Sequence, residues 1–115
     1  MPESIIFEKN NIVNSATKAV KSYVNNETSI FVVYFEGEFH AYINQCQHLP
    51  VGLDWDEAHY FDETEKFLIC ATHGAVYDPK TGYCLSGPCK SKYLKKLEVI
   101  ERNHKIEVIY DDSKK

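Results

Sequence analysis

The chain has no long apolar run, no excess of positive charge and no repeated block, and each absence removes a class of function. No uncharged apolar stretch approaches the ~20 residues needed to cross a bilayer, so no membrane association is expected. The opening residues, Met1-Pro2-Glu3-Ser4-Ile5-Ile6-Phe7-Glu8, lack the basic segment and apolar run of an export signal. With no twin-arginine leader either, a cytoplasmic protein is expected. Net charge is -4, and the lysines at 90, 92, 95, 96, 114 and 115 are offset by acids elsewhere, so no basic stripe offers itself to nucleic acid. There is no flavin or nicotinamide fingerprint and no histidine and carboxylate triad for a mononuclear iron. A length of 115 residues fits one domain, residues 1–115, and leaves no room for a substrate domain. Its 43% hydrophobic and 13% aromatic content can fill a modest core.

What the chain does have is β-type sequence cut by frequent turn signals, which predicts an all-β antiparallel fold. Ser29 to Phe35 is β-branched and aromatic, Glu36-Gly37-Glu38 is a turn, and Phe39 to Asn44 returns as the second arm of a hairpin. Phe67-Leu68-Ile69 forms a second apolar run, and Asp78-Pro79-Lys80-Thr81-Gly82 closes a strand over Ala75 to Tyr77. Leu97 to Glu101 and Lys105 to Tyr110 flank Arg102-Asn103-His104 as a further hairpin, followed by a polar tail over Asp111 to Lys115. Residues 12–24 fit two patterns, a helical stripe through Ala16, Val20 and Tyr23 or a strand through Val20, Ser22 and Val24.

Both apolar segments run into the same two chemistries. Cys46-Gln47-His48 follows the first hairpin, and Cys70-Ala71-Thr72-His73 follows the run at Phe67. Each short hook can present a thiolate and an imidazole from one loop, as a mixed metal site requires. A structural zinc is one candidate, although zinc hooks usually place cysteine with cysteine and histidine with histidine. An iron–sulfur centre with two imidazole ligands is the other, and the mixed hooks favour it.

In the order and flanks of both hooks the chain resembles the Rieske family over about residues 40–98. His73-Gly74 followed by Ala75-Val76-Tyr77-Asp78 looks like that family's second cluster loop, and Gly82 with Ser86-Gly87-Pro88 looks like its proline loop. The resemblance implies a small antiparallel β-sandwich with a cluster-binding subdomain of two loops, spanning about residues 44–90. It implies a [2Fe–2S] cluster with Cys46 and Cys70 on one iron and His48 and His73 on the other. Imidazole ligands place such centres at about −150 to +300 mV, against about −400 mV for plant-type ferredoxins.

Two departures narrow the branch. The extra cysteines that join the cluster loops of membrane-complex relatives are replaced by Val51 and Thr72. The serine that donates to a bridging sulfide there corresponds to Ala75, whereas the tyrosine at Tyr77 is kept. Losing a donor lowers the potential, so the chain resembles the soluble, ferredoxin-like or oxygenase-associated members. Asp54, Asp56, Glu57, Asp62, Glu63 and Glu65, opposed by Lys66 alone, form an acidic stretch that could steer a basic redox partner or simply remain solvated. Trp55, Tyr60 and Phe61 in that stretch read as residues packed beneath it. Cys84 and Cys89 bracket the proline loop and are read as packed thiols, a loop disulfide or redox sensors, and not as ligands. His40, His59 and His104 read as surface or strand histidines.

The expected function is a soluble one-electron carrier between a flavoprotein reductase and an oxygenase or other acceptor, an electron-transfer component and not an enzyme by itself. A docked small subunit of a larger oxidoreductase and a redox or iron sensor are the alternatives.

Overall fold

The structure, a computed structural model, describes residues 3–15, 17–24, 28–44, 60–62, 64–70, 74–87 and 92–110. Its centre is the strand with the most continuous apolar sequence. In β3 (Ser29–Phe35), residues Ile30 and Val32 face one core while Phe31 and Val33 face another, so the strand is buried on both sides. A strand covered on both faces gains nothing from polar alternation, which explains the unbroken run. β4 (Glu38–Ile43) pairs with it antiparallel, from Phe35 opposite Glu38 to Ile30 opposite Ile43. The connecting Glu36 and Gly37 both take positive φ, 51° and 82°, the pattern that matches a two-residue turn to the strand twist.

Around this hairpin lies a six-stranded sheet. β1 (Glu3–Glu8), β2 (Ala19–Tyr23), β8 (Lys96–Arg102) and β9 (Lys105–Tyr110) complete it in the order β1-β9-β8-β4-β3-β2, with antiparallel pairing between neighbours. The β8–β9 turn, Asn103-His104, again has both residues at positive φ. Inward residues from opposite ends of the sheet meet in one cluster: Ile30, Val32, Ala41 and Ile43 touch the core that holds Ile106, Val108 and Tyr110. The sheet has therefore curled around them. The short helix α1 (Lys9–Val13) buries Ile12 completely in the same core and contacts β1, β2 and β3.

The outer face of β2, β3 and β4 carries a second, three-stranded sheet, β5 (Leu68–Ile69), β6 (Val76–Tyr77) and β7 (Cys84–Ser86). Phe31, Val33 and Tyr42 pack there with Tyr60, Leu68, Cys70, Ala75, Tyr77 and Cys84. Phe31 and Tyr60 stack with ring centroids 3.9 Å apart.

The all-β antiparallel expectation holds, and both predicted hairpins appear in their expected places. The structure decides one open reading and adds two strands. Residues 12–24 do not form one element: helix ends at Val13 and strand begins at Ala19, so of the two patterns the strand through Val20 and Ser22 is the one realised. Glu3–Glu8 is a strand although its alternation is weak, because β9 supplies all of its pairing. Cys84–Ser86, read as part of a loop, is a strand paired with β6.

Candidate metal centre

The second hook is built as the mouth of a tight hairpin. β5 delivers Cys70 from the apolar pair Leu68-Ile69, and β6 leaves from Ala75 on the other side. The Cys70 amide donates to the Ala75 carbonyl at 2.8 Å, and the Gly74 amide donates back to the Cys70 carbonyl at 2.8 Å. Gly74 has φ +70°, so the left-handed residue that closes the loop is the one that pays least for that conformation. Cys70 and Ala75 are both fully buried. His73, between them, lies outside the described residues, as do Cys46 and His48 of the first hook. The exit of β4 is described: the Asn44 amide donates to the Ser29 carbonyl at 2.9 Å, and its side-chain amide to the Ser29 hydroxyl at 3.1 Å. That pair of bonds fixes where the chain leaves the sheet, two residues before Cys46.

A third segment covers the hairpin mouth. β7 runs through Ser86 into Gly87, whose φ of +104° and position leave no room for a side chain. A Cβ on Gly87 would stand 2.7 Å from the Ala75 Cα and 3.3 Å from its Cβ and its nitrogen. Backbone therefore lies directly on backbone beside Cys70. The same strand places Cys84 opposite Tyr77, both fully buried. The Cys84 thiol points to the Ser86 carbonyl at 3.3 Å, and its amide donates to the Lys92 carbonyl at 2.7 Å. Cys89 and Pro88 lie outside the described residues.

Behind the small sheet, the turn over Asp78 to Gly82 is fastened to the large one. The Tyr42 hydroxyl donates to the Pro79 carbonyl at 2.7 Å, and the Lys96 ammonium to the Lys80 carbonyl at 2.6 Å. The Lys80 ammonium pairs with Glu36 at 2.5 Å. Gly82, at φ +78°, lies so close to Tyr42 that a Cβ would come within 2.8 Å of its Cε1. Burial, with the Asp78 carboxylate nearby, pushes the Tyr42 phenol well above its usual range, so it remains a donor. None of these fastenings was foreseen from sequence, since a tyrosine in a strand signals nothing about a partner 37 residues away.

The remaining candidates separate cleanly. His40 is a strand histidine but not a surface one: it is buried on β4, and its Nε2 has no hydrogen-bond partner among the described residues. Desolvation by burial lowers its pKa, Lys96 and Lys80 act the same way, and Glu38 and Asp78 oppose them. His104 is exposed in the β8–β9 turn, and His59 lies outside the described residues. Of the acidic stretch, Asp54, Asp56, Glu57 and Glu63 also lie outside. Asp62 is occupied structurally, accepting from the Thr64 amide at 3.1 Å and hydroxyl at 2.7 Å. Tyr60 and Phe61 pack inward as expected, against Phe31 and Phe35 of the large sheet. Trp55 is outside.

Among the described residues no three His, Cys, Asp or Glu side chains come together as a metal site. Of the four expected ligands, Cys70 is the one described. What is described fits a cluster: a buried thiol at a hairpin mouth, with a glycine cradle beside it where any side chain at residue 87 would clash with Ala75.

The chain belongs to the Rieske [2Fe-2S] domain family, whose model matches residues 5–104. A Rieske domain binds a [2Fe–2S] cluster. No curated protein matches in sequence. Among solved structures, the chain is similar to the terminal oxygenase of carbazole 1,9a-dioxygenase from Novosphingobium sp. KA1, with TM-score 0.72 and 16% identity over 93% of this chain and 29% of that one. It is similar to the Sphingomonas yanoikuyae B1 ferredoxin, with TM-score 0.64 and 20% identity over 81% of this chain and 85% of that one. It also matches a chain in a complex of reduced oxygenase and oxidized ferredoxin in carbazole 1,9a-dioxygenase, with TM-score 0.60 and 23% identity over 78% and 88%. The chain thus spans less than a third of the oxygenase it matches and most of the ferredoxin. These likenesses concern the fold.

Proposed function

We propose that the chain, acting as a single domain over residues 1–115, is a soluble one-electron carrier of the cytoplasm that takes an electron from a flavoprotein reductase and passes it to an oxygenase. The observation that carries this reading is the cradle at Cys70, where the family's cluster loop and its cover meet in backbone contact at Ala75 and Gly87. Cys46 and Cys70 would hold one iron and His48 and His73 the other. The bound cluster supplies a one-electron couple. Around it the chain's own residues would set the conditions: Gly87 packs on the buried Ala75 beside Cys70, and the buried Tyr77 would donate its phenol toward a ligand sulfur. With alanine at residue 75 there is no hydroxyl to add a second donor, which favours a potential in the lower part of the Rieske range.

Support for the partner comes from the solved complexes of an oxygenase with a ferredoxin, whose chains this fold resembles. No helix among the described residues is long and apolar enough to cross a membrane. The test is direct. Purified anaerobically, the protein should contain iron and acid-labile sulfide in equal amounts and give a Rieske-type EPR signal on reduction. It should then be reduced by a flavoprotein reductase with NADH and reoxidised by a Rieske oxygenase. Zinc without sulfide would overturn the cluster reading, and a reducible cluster that no oxygenase reoxidises would overturn the partner.

A further inference from the structure

We infer that Tyr42 is a positioning residue for the cluster: by holding the Asp78 to Gly82 turn, it fixes the buried Tyr77 phenol that precedes the turn. This rests on the proposed cluster ligation and on Tyr77 as a donor. Tyr42 lies on β4, in the large sheet, with Phe31 at 5.7 Å centroid to centroid and Lys96 as its register partner on β8. It is fully buried and reaches across to the other sheet at two points. Its hydroxyl binds the Pro79 carbonyl at 2.7 Å, and its ring edge nests against Gly82, where a Cβ would come within 2.8 Å.

Those two residues bracket the turn. Pro79 is two residues from Tyr77, and Gly82 is two residues from Cys84, its partner across β6 and β7. Within itself the turn is held by bonds from the Asp78 amide to the Tyr83 carbonyl at 2.9 Å and from the Gly82 amide to the Asp78 carbonyl at 2.7 Å. Those bonds keep its shape but not its place on the large sheet. The other ties to that sheet at the turn itself, Lys96 to the Lys80 carbonyl and Lys80 to Glu36, are exposed and made by long flexible side chains. Two ties are buried: the Leu94 amide, which donates to the Gly82 carbonyl at 2.8 Å at the far end of the turn, and Tyr42, whose rigid ring and hydroxyl hold the Pro79 end, nearest Tyr77. A small displacement at Pro79 is carried along two peptide units to Tyr77, and hydrogen bonds weaken steeply with misalignment.

The phenol stays protonated throughout the working range, so the bond to Pro79 is not lost on titration. Removing the hydroxyl in Tyr42→Phe keeps the ring and its contact with Gly82 but leaves the buried Pro79 carbonyl without its donor.

The experiment measures midpoint potential by protein-film voltammetry in the wild type, Tyr42→Phe, Tyr77→Phe and the double variant. Tyr77→Phe lowers the potential if its phenol donates. Tyr42→Phe should lower it in the same direction by a smaller amount, and should add nothing in the Tyr77→Phe background. Resonance Raman of the iron–cysteine stretching modes gives a second readout on small quantities, and Tyr42→Phe should shift them toward their Tyr77→Phe positions. An unshifted Tyr77→Phe overturns the donor reading and the positioning role together. A shifted Tyr77→Phe beside an unshifted Tyr42→Phe, or two shifts that add in the double variant, overturns the positioning role alone. A change in melting temperature without a change in potential does the same.

Discussion

Gly37 and Gly82 make a matched pair whose backbones are alike and whose surroundings are not, and substituting alanine at each should separate strain from packing. Their φ angles are +82° and +78°, so alanine at either meets the left-handed penalty of about 1–2 kcal/mol. Alanine also restricts the unfolded chain, which returns about 0.4–1 kcal/mol in both. A Cβ on Gly37 meets nothing within 4 Å. One on Gly82 stands 2.8 Å from Tyr42 Cε1, 3.2 Å from Leu94 Cβ and 3.3 Å from the Leu94 carbonyl oxygen. Tyr42 has no space to retreat into, since it is fully buried and its hydroxyl is tied to Pro79. Overpacking of a filled site adds about 1–3 kcal/mol. Gly37→Ala should therefore lose about 0–1.6 kcal/mol and Gly82→Ala about 1–4.6 kcal/mol. At roughly 4 °C per kcal/mol for a chain of this size, the two melting temperatures should differ by about 4–12 °C. Thermal melts of the oxidised protein, followed by far-UV circular dichroism and by visible absorption, provide the assay. Equal losses at the two glycines would refute the claim that the Asp78 to Gly82 turn is seated on Tyr42.

Three further outcomes are expected. Alanine in place of Cys46, His48, Cys70 or His73 should abolish cluster assembly or change its spectrum, whereas Cys84→Ser should leave iron content near that of the wild type; a full wild-type cluster in both histidine variants would exclude the ligand set. Ala75→Ser should raise the midpoint potential by adding a donor beside Cys70, and voltammetry showing no change would mean that the hydroxyl does not reach the cluster. His40, held neutral by burial and by Lys96, has a folded pKa below the unfolded value of about 6.5. Its stabilising share is thus complete above about pH 6.5 and is lost as pH falls through the folded pKa. Urea midpoints should drop as pH falls below about 6.5 in the wild type and drop less in His40→Leu; an identical acid slope in the variant would remove His40 from the account.

The sequence made the two hairpins legible because each combines a β-branched run with a turn whose φ requirements its residues can meet. Glu36-Gly37 and Asn103-His104 are such turns. It made the second hook legible because Cys70 and Gly74 are local to one another and their two backbone bonds close within six residues. What stayed hidden depends on distance along the chain. Glu3–Glu8 and Cys84–Ser86 become strands through partners that no local pattern names, β9 in one case and β6 in the other. His40 carries no sign of its burial, because the turn and the strand that surround it bring Asp78, Lys80 and Lys96 from far along the chain. The seat of the Asp78 to Gly82 turn on Tyr42 is hidden for the same reason.

The pairing of β1 with β9 has a consequence for how the molecule comes to exist. Glu3 lies opposite Tyr110 and Glu8 opposite Lys105, so β1 takes its neighbour from a strand far along the chain. Pairings of such long sequence separation close late, because the loop between them must lose its freedom before any contact is gained. The hairpin β3–β4, by contrast, closes over a two-residue turn. The two Cys-and-His hooks lie between these extremes in the sequence, so both are synthesised before β9 can close on β1. A chain cut before Lys105 should strand β1 without a partner and leave Ile5 and Phe7 as exposed apolar surface for chaperones to bind.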